Sequence, residues 1–236
     1  MAAIRRLKPD ILYMETCSNP LTIVSDMGLL TAEAKAVNPN AISIIDNTYT
    51  SPLLVKPLSL GVDVVLHSMT KYINGHGDVL AGLIASNNKE YMHKARHTVI
   101  DFGTTLSPWD AWLCMRGLRT LGVRMDKIST NALAVAKYLS ANSRVSRVYY
   151  PGLPTHPQFE VVKLIMSRRP TEQECNEGFG FSGMISFDIR VEGGEVGDGG
   201  VGGTLAVKAF LDSMRLISSQ VRIVLLYIIV YLLGSS

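Results

Sequence analysis

The chain has 236 residues, 47% of them apolar and 18% charged, and a net charge of +3 spread along its length. That apolar share supports a sizeable core and argues against global disorder, and so small and diffuse a charge argues against a nucleic-acid partner. Cys17, Cys114 and Cys175 form no CxxC or CxxH pair, so neither a zinc site nor a disulfide framework is expected, and each reads as a small buried hydrophobe.

The N-terminus, MAAIRRLKPDILYME, lacks the apolar core of a secretory signal. Ile11 to Glu15 is a short apolar strand ending in a carboxylate. Thr31 to Val37 has a helical pattern, stopped by Asn38-Pro39-Asn40. Ala41 to Ile45 reads as a buried strand ending at Asp46. Pro57 to Leu60 gives a helical turn closed by Gly61, and Val62 to Leu66 a further strand running into His67-Ser68-Met69-Thr70-Lys71. Val79 to Ser86 is a candidate strand. This alternation predicts an α/β fold with a mainly parallel sheet.

From about Ser107 the period lengthens. Pro108 to Arg119 and Met125 to Ser140 read as long helices, followed by a strand (Val145 to Tyr150), a helix (Gln158 to Met166) and a strand (Gly183 to Ile189). This half has the pattern of a smaller α+β domain, with a boundary at Leu118 to Arg124. Gly193 to Gly203 is a glycine-rich loop without the Lys-Ser/Thr of a phosphate loop. Thr204 to Ile217 returns to a helical pattern. Val221 to Leu233 is almost continuously apolar but shorter than the roughly 20 residues that cross a bilayer, so no membrane span is expected.

Glu15, Asp46 and the Ser68–Lys71 segment all lie just past the carboxyl ends of apolar strands. In an open parallel sheet the ligand crevice lies outside those ends. A pyridoxal-phosphate (PLP) site needs an amine for the aldehyde, a carboxylate for the pyridine nitrogen, and hydroxyl and backbone donors for the phosphate. Lys71 supplies the first, Asp46 the second, Ser68 and Thr70 part of the third. Each also has a plainer role. Asp46-Asn47-Thr48 would serve as a turn or helix cap, Lys71 alone as a surface lysine, His67 as a core histidine. His76 lies between Gly75 and Gly77, which mark a tight turn, and no second histidine stands at metal-ligand spacing.

The combination has a wider counterpart. Asp46-Asn-Thr-Tyr-Thr-Ser-Pro52, then Pro57-Leu-Ser-Leu-Gly-Val-Asp-Val-Val-Leu-His-Ser-Met-Thr-Lys71-Tyr-Ile-Asn-Gly-His-Gly-Asp78, resembles the Cys/Met-metabolism PLP-dependent family. That family includes cystathionine γ-synthase, cystathionine β- and γ-lyases and methionine γ-lyase. Glu15-Thr-Cys-Ser-Asn-Pro20, Leu106-Ser-Pro-Trp-Asp110, Met115-Arg-Gly-Leu118, Val148-Tyr-Tyr-Pro-Gly-Leu153, Gly183-Met-Ile-Ser-Phe187 and Ala209-Phe-Leu-Asp-Ser-Met-Arg-Leu216 extend the likeness over residues 2–219.

The resemblance implies a partial aspartate-aminotransferase-like large domain over residues 1–122 and an incomplete small C-terminal domain over 123–219. It implies Lys71 as the Schiff-base lysine, Asp46 as the pyridinium partner, Ser68 and Thr70 at the phosphate, Asn19 beside the 3-hydroxyl, and Glu15 behind them. It implies a cytoplasmic homo-oligomer, with organellar targeting of a longer parent left open. The implied activity is carbon–sulfur lysis in trans-sulfuration, on cystathionine- or cysteine-type substrates. The alternatives are a γ-synthase-type transferase and a catalytically inactive fragment. The family's glycine-rich phosphate turn and ring-stacking tyrosine precede the matching region, and its substrate-carboxylate arginine follows it. Past Ser219 the pattern stops at Gln220-Val221-Arg222, the tripeptide a splice-donor site would encode. Residues 220–236 are therefore expected to be a non-family tail, by intron read-through, without a packing partner.

Overall fold

A parallel ladder forms the centre of the first half. In the computed structural model, β1 (Ile11–Glu15), β2 (Ile42–Asp46) and β3 (Val64–Ser68) run parallel and β4 (Gly82–Ala85) returns antiparallel, in the order β1-β2-β3-β4. The structure describes residues 1–168, 170–190, 209, 210, 212 and 213, and the backbone of 229–232. The glycine-rich stretch at 193–203 and most of the helical pattern at 204–217 lie outside them.

Register explains the two faces of this sheet. Met14 pairs with Ile45 and Ile45 with Val65, so three apolar side chains form one buried row. The next row, Glu15, Asp46 and Leu66, falls on the opposite, less buried face, because successive strand residues alternate. The core face is covered by α2 (Met27–Val37) and α7 (Phe159–Ile165), with Phe179 and Phe181. Asp26 caps α2 by accepting from Leu29 N at 3.1 Å, as an N-cap carboxylate does.

A second sheet, β5 (Val145–Tyr149), β6 (Met184–Ile189) and β7 (Ile229–Leu232), packs on α6 (Leu121–Ser140). The backbone of β7 lies parallel to β6, with Met184 opposite Ile229. Part of the apolar tail thus has a strand neighbour that the sequence reading did not foresee. The junction between α5 (Pro108–Leu118) and α6 falls within the boundary region read from the sequence. The core nonetheless crosses it: Phe159, Val162 and Ile165 pack with Met14, Ile45 and Val65.

The α/β class with a mostly parallel sheet is borne out. Among the described residues four helices had no counterpart in the sequence reading: α1 (Ala2–Leu7), α3 (Ser51–Leu54), α4 (Lys89–Asp101) and α8 (Glu172–Glu177). α4 fully buries no residue, but Tyr91, Met92, Ala95 and Val99 stand at helical spacing along its half-buried face, a pattern the sequence reading passed over. α8 is one short turn made by a capping box, Thr171 with Glu174. β3 runs two residues further than Val62–Leu66 predicted, because His67 and Ser68 pair with Leu83 and Gly82. A helix at 51–54 (α3) and the 3-10 turn at Pro57–Leu60 complete the β2–β3 crossover.

His156 ties the halves together from the turn before α7. Its Nδ1 accepts from Gln158 N at 3.2 Å, and its Nε2 lies 3.5 Å from Thr22 Oγ1. Burial, aided by the charge of Arg147, holds its pKa down to about 4. A histidine that protonates less readily folded than unfolded makes stability fall as pH drops. The unfolding midpoint in urea should therefore decline from about pH 6.5 to about pH 4, and His156→Gln should flatten that slope. Ile45, fully buried, and Ile11, 59% exposed, give a second check. Ile45→Ala should lose roughly 2–5 kcal/mol of unfolding free energy, and Ile11→Ala less than about 0.5 kcal/mol.

Candidate functional site

The parallel register delivers Glu15, Asp46 and the end of β3 to one edge of the sheet. The link between them is local. Asp46 Oδ1 accepts from Thr48 N at 2.8 Å, and Thr48 Oγ1 accepts from Ser68 N at 2.8 Å. One threonine thus fixes Asp46 relative to the segment that leads to Lys71. No hydrogen bond from the described residues reaches Asp46 Oδ2 or Ser68 Oγ, and both side chains stay half-buried.

Asn47 is the buried hub under this edge. Its backbone N–H donates to Leu66 O at 2.9 Å, and its side-chain oxygen accepts from Thr16 Oγ1 at 2.7 Å. Its Nδ2 donates to the carbonyls of Ser51 (3.2 Å) and Val55 (3.0 Å). The three strand ends are joined by groups whose hydrogen-bonding capacity is filled.

Lys71 stands three residues beyond β3, in a turn. Its N–H donates to Ser68 O at 3.2 Å and its carbonyl accepts from Gly75 N at 2.8 Å. Thr70 Oγ1 is engaged with Ala81, accepting from its N–H at 3.1 Å and donating to its carbonyl at 3.4 Å. Asn19 follows β1 on the same edge, and its Nδ2 donates to Tyr49 OH at 3.0 Å. Glu15 ends β1 exposed, opposite Asp46 in the ladder. The structure therefore gathers Glu15, Asn19, Asp46, Ser68, Thr70 and Lys71 around three adjacent strand ends. Thr48 and Tyr49 join them. The sequence reading had not singled those two out. Their signal was there in Asp46-Asn-Thr-Tyr, but as a turn.

His67 lies on the core face of β3, 6% exposed. Burial lowers its pKa, partly offset by the Asp46 charge, so it is a neutral structural imidazole near pH 7. His76 Nδ1 donates to Asn74 O at 2.6 Å. Gly75 and Gly77 have positive φ on either side of it, which makes the segment a tight turn. Burial pushes the Cys17 thiol up to about 12 and raises that of Cys114, leaving both poor nucleophiles. Among the described residues no group of three His, Cys, Asp or Glu side chains could hold a metal ion.

Comparison with known proteins gives this geometry a context. The family model for Cys/Met metabolism PLP-dependent enzymes matches residues 1–223. The chain is 43% identical over 181 residues to cystathionine beta-lyase of Lactococcus lactis subsp. cremoris, an alignment covering 77% of this chain and 44% of that one. It is 41% identical to cystathionine gamma-lyase of Bacillus subtilis, over the same shares. A crystal structure of cystathionine gamma synthase from Xanthomonas oryzae pv. oryzae superposes with a TM-score of 0.78 at 37% identity, covering 93% of this chain and 50% of that one. The chain spans about half the length of the curated relatives it matches. With the family model spanning nearly its whole length and identities above 40%, the chain belongs to the Cys/Met-metabolism family of PLP-dependent enzymes.

Proposed function

We propose that this chain carries the lysine side of the PLP site of a carbon–sulfur lyase in trans-sulfuration, whose substrates are cystathionine- or cysteine-type amino acids. One observation carries the reading. Asp46 and Ser68 present unengaged oxygens on the open face of adjacent strands, and Lys71 follows three residues on. Such a donor set suits a group with a basic ring nitrogen, an aldehyde and a phosphate.

When bound, PLP supplies an electron sink for the carbanion left by loss of a substrate α-proton. Asp46 Oδ2 would hold the proton on the ring nitrogen, while Oδ1 stays fixed by Thr48 N. The Lys71 amine would attach the cofactor and, once the substrate's own amine has displaced it, would be the base that takes the α-proton and returns protons as sulfur leaves. Ser68 Oγ would donate toward the phosphate. Thr70 would do so by giving up its 3.4 Å bond to Ala81 O. Asn19 orients the 3-hydroxyl side, and Glu15 supports the cluster from behind.

The likeness to cystathionine gamma synthase favours a second reading, γ-replacement by the same residues. The family reading also brings a cytoplasmic homo-oligomer. Among the described residues no helix is long and apolar enough to cross a membrane.

The test starts with the full chain and added PLP. A visible absorbance band, absent in Lys71→Ala, is the expected result, and equal spectra from the two proteins would reject the reading. Lys71→Ala should cut pyruvate or 2-oxobutanoate release from cystathionine by roughly 10²-fold or more. Asp46→Asn should keep the band and lower the release. Cystathionine formation from an activated homoserine ester, without ketoacid release, would select the synthase reading.

A further inference from the structure

We propose that Arg124 is the positioning residue for the Lys71 turn, acting from α6 through the backbone carbonyls that follow the lysine. The proposal rests on Lys71 being the cofactor lysine.

Arg124 is 4% exposed. Its Nη1 donates to Tyr72 O at 2.6 Å and its Nη2 to Ile73 O at 3.2 Å. Nη2 also donates to Gly117 O at 2.8 Å, and Nε to Thr120 Oγ1 at 3.0 Å. Thr120 Oγ1 in turn donates to Gly117 O at 3.1 Å. One planar side chain therefore joins the end of α5, the start of α6 and the two residues directly after Lys71. Among the described residues no carboxylate forms an ion pair with Arg124, and burial lowers its pKa.

A buried cation without an anionic partner is costly. Stability alone would be served as well by an apolar side chain, provided the carbonyls were not there. They are: Tyr72 O and Ile73 O belong to a turn, not a ladder, and need donors. A guanidinium can serve several at once because its five N–H groups form a rigid fork, whereas a lysine ammonium is a single point.

The surroundings are shaped to this contact. Gly75 has φ +72°, and a Cβ there would sit 2.1 Å from Arg124 Nη1. A Cβ at Gly117 would sit 2.2 Å from Asn74 O. Both glycines let the turn close onto the α5–α6 junction. The Tyr72 and Ile73 side chains are buried against Leu121, Met125 and Ile128 of α6. The turn is thus held by side chains on one side and by Arg124 on the backbone directly after Lys71.

Arg124→Lys keeps the charge and loses the fork; Thr120→Val removes the Nε acceptor and the hydroxyl's bond to Gly117 O but leaves the Nη bonds to Tyr72 O and Ile73 O, and serves as the gentler variant. The first readout needs no cofactor. Amide exchange at Asn74 and Gly75, which donate to Met69 O and Lys71 O, should accelerate at least tenfold in Arg124→Lys and less in Thr120→Val, with α6 amides unchanged. The second adds PLP, reduces with borohydride, and locates the pyridoxyl label by peptide mass. The share on Lys71 should fall about tenfold in Arg124→Lys at equal folded fraction, while labelling of exposed lysines stays constant. Unchanged exchange at Asn74 and Gly75 in both variants overturns the proposal. So does faster exchange with undiminished Lys71 labelling, which would leave Arg124 holding only the fold. If the unsubstituted chain fails to label Lys71, the cofactor reading falls, and faster exchange in the variants still supports Arg124 as the clamp of the turn.

Discussion

The site depends on the satisfaction of one buried amide, Asn47. Three strands end within reach of it, and each end leaves backbone groups that the ladder no longer pairs. Asn47 takes the Leu66 carbonyl with its N–H, the Ser51 and Val55 carbonyls with its side-chain nitrogen, and the Thr16 hydroxyl with its side-chain oxygen. A buried carbonyl left without a donor costs about 1–3 kcal/mol. An apolar residue here would keep the backbone bond to Leu66 O but take the side-chain donor from the Ser51 and Val55 carbonyls and the acceptor from Thr16 Oγ1. With Asn47 fixed, its neighbours Asp46 and Thr48 have little freedom, and Thr48 passes that order to Ser68.

The same edge is held from the far side of the chain. Ser182 Oγ donates to Tyr49 O and Ser186 Oγ to Pro20 O. His156 approaches Thr22. The loops that carry Asn19 and follow Asp46 therefore lean on residues from the second half. Phe179 and Phe181 enter the core of the first sheet, with Phe179 stacked on Phe159 at 5.0 Å between ring centres. The two halves differ in their sheets but share a core, so the order of the site is a property of the whole described chain rather than of residues 1–122 alone.

Much of this was legible in the sequence, and what was not has a common cause. The placement of Asp46 and Lys71 at one edge of the sheet could be read because strand ends are visible as the close of apolar runs, and parallel strands bring their ends together. The turn at 57–60 could be read because Pro57 and Gly61 bracket it. Arg124 could not. Its partners are backbone carbonyls 51 and 52 residues earlier, and a carbonyl leaves no mark in the sequence. Thr48 was hidden likewise, since Ser68 N lies 20 residues on. α4 is a different case: its apolar residues Tyr91, Met92, Ala95 and Val99 do stand at helical spacing, and the sequence reading passed over them among the lysines and histidines that separate them.

Asp46 has room for a second role beside its turn-forming contact. Read alone, it is a turn former, and Oδ1 does accept from the N–H two residues on. A carboxylate has two oxygens and about four lone-pair sites, so that bond uses a fraction of its capacity. It also restrains the side chain, which spares a bound partner part of the ordering cost. Oδ2 is then held in a known direction beside Ser68 and the lysine turn. Thr70 is the contrast. Its single hydroxyl is taken up on both sides by Ala81, and any contact it makes with a ligand competes with the backbone entry to β4. Of the two hydroxyls before Lys71, Ser68 is therefore the one whose structural duty, borne by its backbone N–H and carbonyl, leaves its side chain unengaged among the described residues.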